Sequence, residues 1–183
     1  MSSLTTVLNS AIGIGTLISH IFLVVLVVMV IFEPRVRDRV WLFVHRYILE
    51  IIAVISWVAL LGSLAYSQII GFPPCELCWI QRIFIYPQAV ISLMAIFRKD
   101  KSVVSYLLPL SLIGGLVALY QSFIQWGFSS VSVLGCTSAA TGECAKIFVN
   151  AFGYITIPFM SFTIFLYAIG VTLIYYQARK IHG

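Results

Sequence analysis

Charge is scarce in this sequence. Six Asp or Glu and 11 Lys or Arg make up 9% of its 183 residues, against 61% hydrophobic ones. So few ionised groups could not cover the surface of a water-soluble domain, and a soluble globular fold is excluded. Internal repeats and low-complexity tracts are missing too, which leaves one compact bundle rather than an array. The first stretch, Met1 to His20, has no Lys or Arg. Its apolar run is followed by Arg35, Arg37 and Arg39 where a cleaved signal peptide would need small residues, so it reads as a retained helix. His20, alone in that helix, reads as a packed side chain.

What the chain does have is long apolar runs. Crossing a bilayer takes about 20 residues per helix, and five segments qualify: roughly 11–32, 46–70, 79–97, 103–127 and 153–177. The expected fold is an all-α integral membrane protein of five transmembrane helices. Gly71, Pro73 and Pro74 should stop the second helix and Cys75 to Trp79 should start the third, since proline is suited to a helix start and not to its interior. Pro87 should kink the third helix. Ser111, Gly114 and Gly115 are small enough to let the fourth helix approach a neighbour closely.

The net charge of +5 is distributed unevenly. Arg35, Arg37, Arg39 and Arg46 lie between helices one and two. Arg98, Lys99 and Lys101 lie between three and four, and Arg179 and Lys180 follow helix five. With five crossings all three groups fall on one side, as the positive-inside rule requires. The basic residues are topology signals, not a nucleic-acid surface. They predict an extracytoplasmic N-terminus and a cytoplasmic C-terminus. Glu50, one turn beyond Arg46, reads as a paired or snorkelling carboxylate near the inner interface.

Only four cysteines occur, and all fall on the outer side. Cys75 and Cys78 sit in "PCELCWIQR", between helices two and three. Cys136 and Cys144 bracket "TSAATGE" in the outer loop from about Phe128 to Asn150. That is the compartment in which disulfides persist. Structural staples are one reading, and it suits the second pair better, because a Cys-x-x-Cys bridge closes too short a loop to remove much unfolded-state entropy. A zinc site is a second, disfavoured by the uneven spacing and the oxidising side, and no metal is expected. Thiol–disulfide exchange is the third. A Cys-x-x-Cys at a helix start has unpaired N–H groups that favour thiolate, the species that attacks disulfides. Arg82, one turn beyond Cys78, shares its helix face and sits where the positive-inside bias would exclude it. It reads either as a snorkelling side chain or, functionally, as a donor to an acceptor oxygen of a ligand beside Cys78. With two dithiols on one membrane face and no haem or iron–sulfur ligand set, the electron count and location fit a lipid-soluble quinone.

"PCELCWIQRIFIYP", followed by a helix, a basic inner turn, a further helix and a second outer cysteine pair, resembles the DsbB/BdbC family of membrane disulfide-bond-formation proteins, in its BdbC-like branch. The likeness covers roughly residues 46–177. It implies a DsbB-like four-helix core at 46–183, with residues 1–45 as an additional helix and basic linker. It further implies that Cys75 and Cys78 form the inner redox pair, with Cys78 facing quinone (ubiquinone or menaquinone) and Arg82 helping to bind it. Cys136 and Cys144 would form the shuttle disulfide, Cys136 being the atom that pairs with a DsbA-like thioredoxin-fold oxidase. Relatives often carry a His near the end of the helix reading "ALYQSFIQW" here. This chain has Gln121 and Gln125 instead, either of which could bond a quinone carbonyl or a neighbouring helix. Two rival readings are a vitamin K epoxide reductase-like enzyme, in which the loop pair would precede the Cys-x-x-Cys, and a non-catalytic membrane protein with structural disulfides.

Overall fold

Five helices form in the computed structural model, which describes residues 3–127, 144 and 146–182. Helix α1 spans Ser3–Phe32, α2 Pro34–Leu64, α3 Glu76–Arg98, α4 Val104–Gln125 and α5 Ile157–His182. All five are long and apolar enough to cross a membrane. Among the described residues there is no strand, only an isolated bridge in which Ala151 and Ile155 exchange hydrogen bonds across a tight turn. The chain is thus an all-α membrane protein, as its apolar runs predict.

The second helix begins earlier than its apolar run. The basic stretch read as a linker is helical from Pro34, whose fixed φ suits the first helical position. The backbone leaves helical geometry once, at Tyr47 (φ −110°, ψ 23°), where the charged segment meets the apolar one. At its other end α2 passes into a short π-helical stretch, Ala65–Ile69, marked by a bond from Ile70 N–H to the Ala65 carbonyl five residues back. Gly71 then turns the chain at φ +81°, a conformation that favours glycine, and Pro73 and Pro74 lead to Cys75.

Helices α2 to α5 share one core. Near the basic end it contains Ile48, Ile52, Leu107 and Tyr175; at mid-height Ile85, Ala118 and Phe165; at the opposite end Cys75, Leu77, Ile124 and Cys144. Polar side chains tie the helices together, as they do where hydrocarbon offers no other partner. Trp57 donates to the Ala89 carbonyl (3.1 Å), Ser111 to Gln88 Oε1 (3.0 Å) and Tyr176 to Ser105 (3.2 Å). Gly114 and Gly115 lie against the Phe165 ring and its Cβ, the close approach their size predicts. Helix α3 continues through Pro87, and Glu50 is exposed.

Helix α1 presents Phe22, Val24 and Ile31 outward, all more than 60% exposed, as expected of a face that meets lipid. It reaches the bundle through small and polar residues. Tyr167 donates to Ser19 (3.0 Å), His20 Nε2 and Thr163 Oγ1 lie 3.0 Å apart, and Gly13 abuts Ala151. His20 is therefore a packing residue. The chain direction alternates from helix to helix, so the three basic groups gather at one end of the bundle and Cys75, Cys78 and Cys144 at the other.

Candidate functional site

The dithiol is placed by the start of α3. Cys75 is the cap residue, with extended backbone (φ −74°, ψ 172°), and Cys78 lies in the first turn. This brings the two sulfurs to 2.9 Å while both remain free thiols. A disulfide bond is about 2.05 Å long, so oxidation requires little movement. The hydrogen bond shared with Cys78, and then burial, push the Cys75 thiol well above its ordinary range.

Both sulfurs receive hydrogen bonds from one residue on the neighbouring helix. Gln121 of α4 donates through Nε2 to Cys75 Sγ (3.1 Å) and to Cys78 Sγ (3.4 Å). Its amide is oriented by Gln81 of α3, whose Nε2 donates to Gln121 Oε1 at 2.6 Å. Both glutamines are buried. An amide with each end occupied has one orientation, and this one aims its N–H groups at sulfur.

Arg82 lies one turn beyond Cys78 and is only 7% exposed. Its Nε donates to Ser63 Oγ (2.9 Å), its Nη2 to the Ser63 carbonyl (3.2 Å), and its guanidinium sits 5.0 Å from the centre of the Trp79 ring. These contacts use two of its five N–H groups. No carboxylate pairs with it among the described residues, where the sole ion pair is Arg37–Asp38 at 3.9 Å. A buried cation without a counter-charge is costly in a bilayer and marks a candidate functional group.

Cys75, Cys78, Gln81, Arg82 and Gln121 line a cavity of about 220 Å³, closed on other sides by α1, α2 and α5. Gln125 is on its wall and donates to the Lys146 carbonyl (3.3 Å). Cys144 is disulfide-bonded, to neither Cys75 nor Cys78, which are free. It is buried in the cluster that contains Cys75 and Leu77. Cys136 lies outside the described residues, as does most of the loop that holds it.

Five of the six described site candidates, Cys75, Cys78, Arg82, Gln121 and Gln125, therefore share one cavity, and Cys144 belongs to the same buried cluster as Cys75. Three further residues were not singled out from the sequence: Gln81, Ser63 and Tyr66. Gln81 could have been noticed as a second polar residue beside Arg82 in an apolar run. Ser63 gives no sequence signal, because serines are common in membrane helices. Tyr66 reads as one more aromatic residue near a helix end.

The fold and site define a multi-pass membrane protein with a helix-start dithiol and a third, disulfide-bonded cysteine in the same buried cluster. A family model described as "Disulfide bond formation protein DsbB" matches residues 45–175, and the chain belongs to that family of membrane disulfide-bond-formation proteins. Among similar proteins, "Probable disulfide formation protein C 1" of Bacillus anthracis is 42% identical over 108 residues, which is 58% of this chain and 75% of the relative. "Disulfide bond formation protein C" of Bacillus subtilis is 40% identical over 115 residues, 62% of this chain and 80% of the relative. "Probable disulfide formation protein" of Oceanobacillus iheyensis is 38% identical over 138 residues, 73% and 92% of the two chains. No solved structure matches the chain. The family match includes both cysteine pairs and omits α1 together with the first part of α2.

Proposed function

We propose that this protein is a thiol:quinone oxidoreductase that reoxidises a DsbA-like thioredoxin-fold oxidase outside the cytoplasm. The observation that carries the reading is the free Cys75–Cys78 dithiol, which lines a cavity shared with Arg82 and lies in or against the buried cluster that contains a disulfide-bonded Cys144. One neighbour can supply electrons and the other can lead them away.

The cycle is a pair of disulfide exchanges followed by transfer to quinone. A thiolate of the reduced partner attacks the loop disulfide at Cys136 and forms a mixed disulfide. The partner's second thiolate resolves it, which leaves the partner oxidised and Cys136 and Cys144 as a dithiol. That dithiol exchanges with a Cys75–Cys78 disulfide: the loop bond re-forms, and Cys75 and Cys78 become thiols. Cys75, buried in the same apolar cluster as Cys144, takes the exchange with the loop, and Cys78 is the one that shares a helix face with Arg82. Each exchange conserves one disulfide and two protons, and none needs another oxidant.

The cavity suits a quinone in chemistry: its lining is largely apolar, and it includes Arg82 and Tyr66, whose hydroxyl is buried and unpartnered. When bound, quinone supplies a two-electron, two-proton acceptor that returns Cys75 and Cys78 to the disulfide. Arg82 binds an acceptor oxygen, Gln121 holds both sulfurs in position and Gln81 fixes Gln121. Gln125 closes the wall near Lys146. The surrounding apolar side chains keep water from the sulfurs. In this reading 46–183 is the catalytic bundle and 1–45 an accessory segment; the cysteine end faces the extracytoplasmic side and the C-terminus the cytoplasm, following the basic residues.

The relay can be trapped. Removing Cys78 by Cys78→Ser leaves Cys75 without its resolving partner. Nonreducing peptide mapping of this variant, after exposure to a reduced thioredoxin-fold dithiol and reoxidation, should yield a disulfide between Cys75 and a loop cysteine. Recovery of Cys75 only as a free thiol, with the loop disulfide intact, would rule out exchange between the pairs.

A further inference from the structure

We propose that Tyr66 is a ligand-binding residue of the cavity, donating its hydroxyl hydrogen to a quinone carbonyl oxygen; the proposal rests on the quinone reading above. Tyr66 is 6% exposed, and its hydroxyl has no hydrogen-bond partner. Buried hydroxyls are nearly always paired, and an orphan on a residue that lines a cavity invites a ligand acceptor. Tyr66 lines the same cavity as Cys78 and Arg82.

Its position follows from the chain. Arg82 is docked on Ser63, and Tyr66 follows Ser63 by one turn, so the guanidinium and the phenol lie on one face of the helix. The residue belongs to the π-helical stretch Ala65–Ile69, a departure from α-helical register of the kind that gathers at functional sites. The ring is braced by two other aromatic residues of the cavity wall. Phe72 stacks on it (6.2 Å between centres, 11° between planes), and Phe148 stacks in turn on Phe72 at 4.8 Å. A braced ring loses little freedom when its hydroxyl finds an acceptor.

The other unpartnered groups do not serve. A quinone carbonyl accepts hydrogen bonds, and the orphan atom of Gln125 is Oε1, itself an acceptor. The orphan atoms of Tyr86, Gln88, Thr156 and Asn9 belong to residues that do not line this cavity. Tyr86 is therefore the natural control: a second phenol in the same bundle with a buried, unpartnered hydroxyl, outside the cavity.

The test uses the full-length, fully oxidised protein in detergent without any dithiol, so that nothing turns over. Equilibrium binding of short-tail ubiquinone and menaquinone analogues is measured for wild type, Tyr66→Phe and Tyr86→Phe, with the infrared carbonyl stretch of carbonyl-labelled quinone as a second readout. The expected result is binding weakened about 3- to 10-fold in Tyr66→Phe, the scale of one hydrogen bond. Its bound carbonyl band should shift toward the free frequency, and Tyr86→Phe should change neither. Without quinone, Tyr66→Phe should melt no lower than wild type, because it removes only an unpaired hydroxyl. Wild-type affinity and an unchanged carbonyl band in Tyr66→Phe would overturn the proposal while leaving the quinone reading intact. If wild type binds neither quinone, the quinone reading itself fails, and this proposal with it.

Discussion

Gln121 is the residue on which the dithiol geometry turns. It donates to both sulfurs and accepts from Gln81, so it favours whichever redox form leaves more electron density on sulfur, namely the reduced one. Gln121→Leu should therefore lower the Cys75–Cys78 reduction potential. A hydrogen bond contributes about 0.5–1.5 kcal/mol net, and about 30 mV corresponds to about 1.4 kcal/mol for two electrons; the expected drop is about 10–30 mV, read by equilibration against glutathione or dithiothreitol. The same change strands the Gln81 amide, at a cost of about 1–3 kcal/mol, visible as a lower melting temperature. An unchanged potential would mean that Gln121 only packs. The sequence marks Gln121 as polar in an apolar helix, but whether it meets a ligand, a sulfur or another amide depends on which helix packs beside it. That is why Gln81 could be noticed beside Arg82 as a polar residue, while its role, which exists only through Gln121, was not legible.

At the scale of elements, the bundle is held by close approach as well as by apolar contact. A Cβ on Gly114 would run into the ring of Phe165, which is 1% exposed, whereas one on Gly115 would sit 3.3 Å from the Phe165 Cβ. Gly114→Ala should destabilise the protein by about 1–3 kcal/mol, the usual cost of overpacking. Gly115→Ala should cost less, and thermal melting in detergent compares them; equal, negligible losses would show that α4 and α5 pack more loosely than described. The need for small residues here was readable from "SLIGGL", because helices without a hydrophobic drive toward each other associate through fit. The start of α2 was not. Arg35, Arg37 and Arg39 mark a membrane boundary, and charge at a boundary is equally compatible with a loop or with a helix emerging from the bilayer. Likewise the inner face of α1 could not be read from its long apolar run alone; Thr16 and Ser19 on the cavity wall, His20 beside Thr163 of α5 and Gly13 against Ala151 mark it.

The whole molecule divides into a basic end and a thiol end, and the apolar runs and charge asymmetry suffice to predict that division. Five crossings follow from length and hydropathy, and the cysteine side follows from counting crossings. The cavity between the ends does not, because it is assembled from Ser63, Tyr66, Arg82, Gln121 and Tyr167 on four different helices. The central claim is that electrons run from an external dithiol through both cysteine pairs to quinone. Its most direct test is anaerobic quinone reduction, followed by ultraviolet absorbance, with purified protein, a reduced thioredoxin-fold dithiol and a short-tail quinone. Wild type should form one quinol per partner disulfide, and turnover should be lost in both Cys78→Ser and Cys136→Ser. Turnover that survives either substitution would contradict the relay, and no quinone reduction by wild type with either quinone type and several dithiol donors would contradict the enzyme.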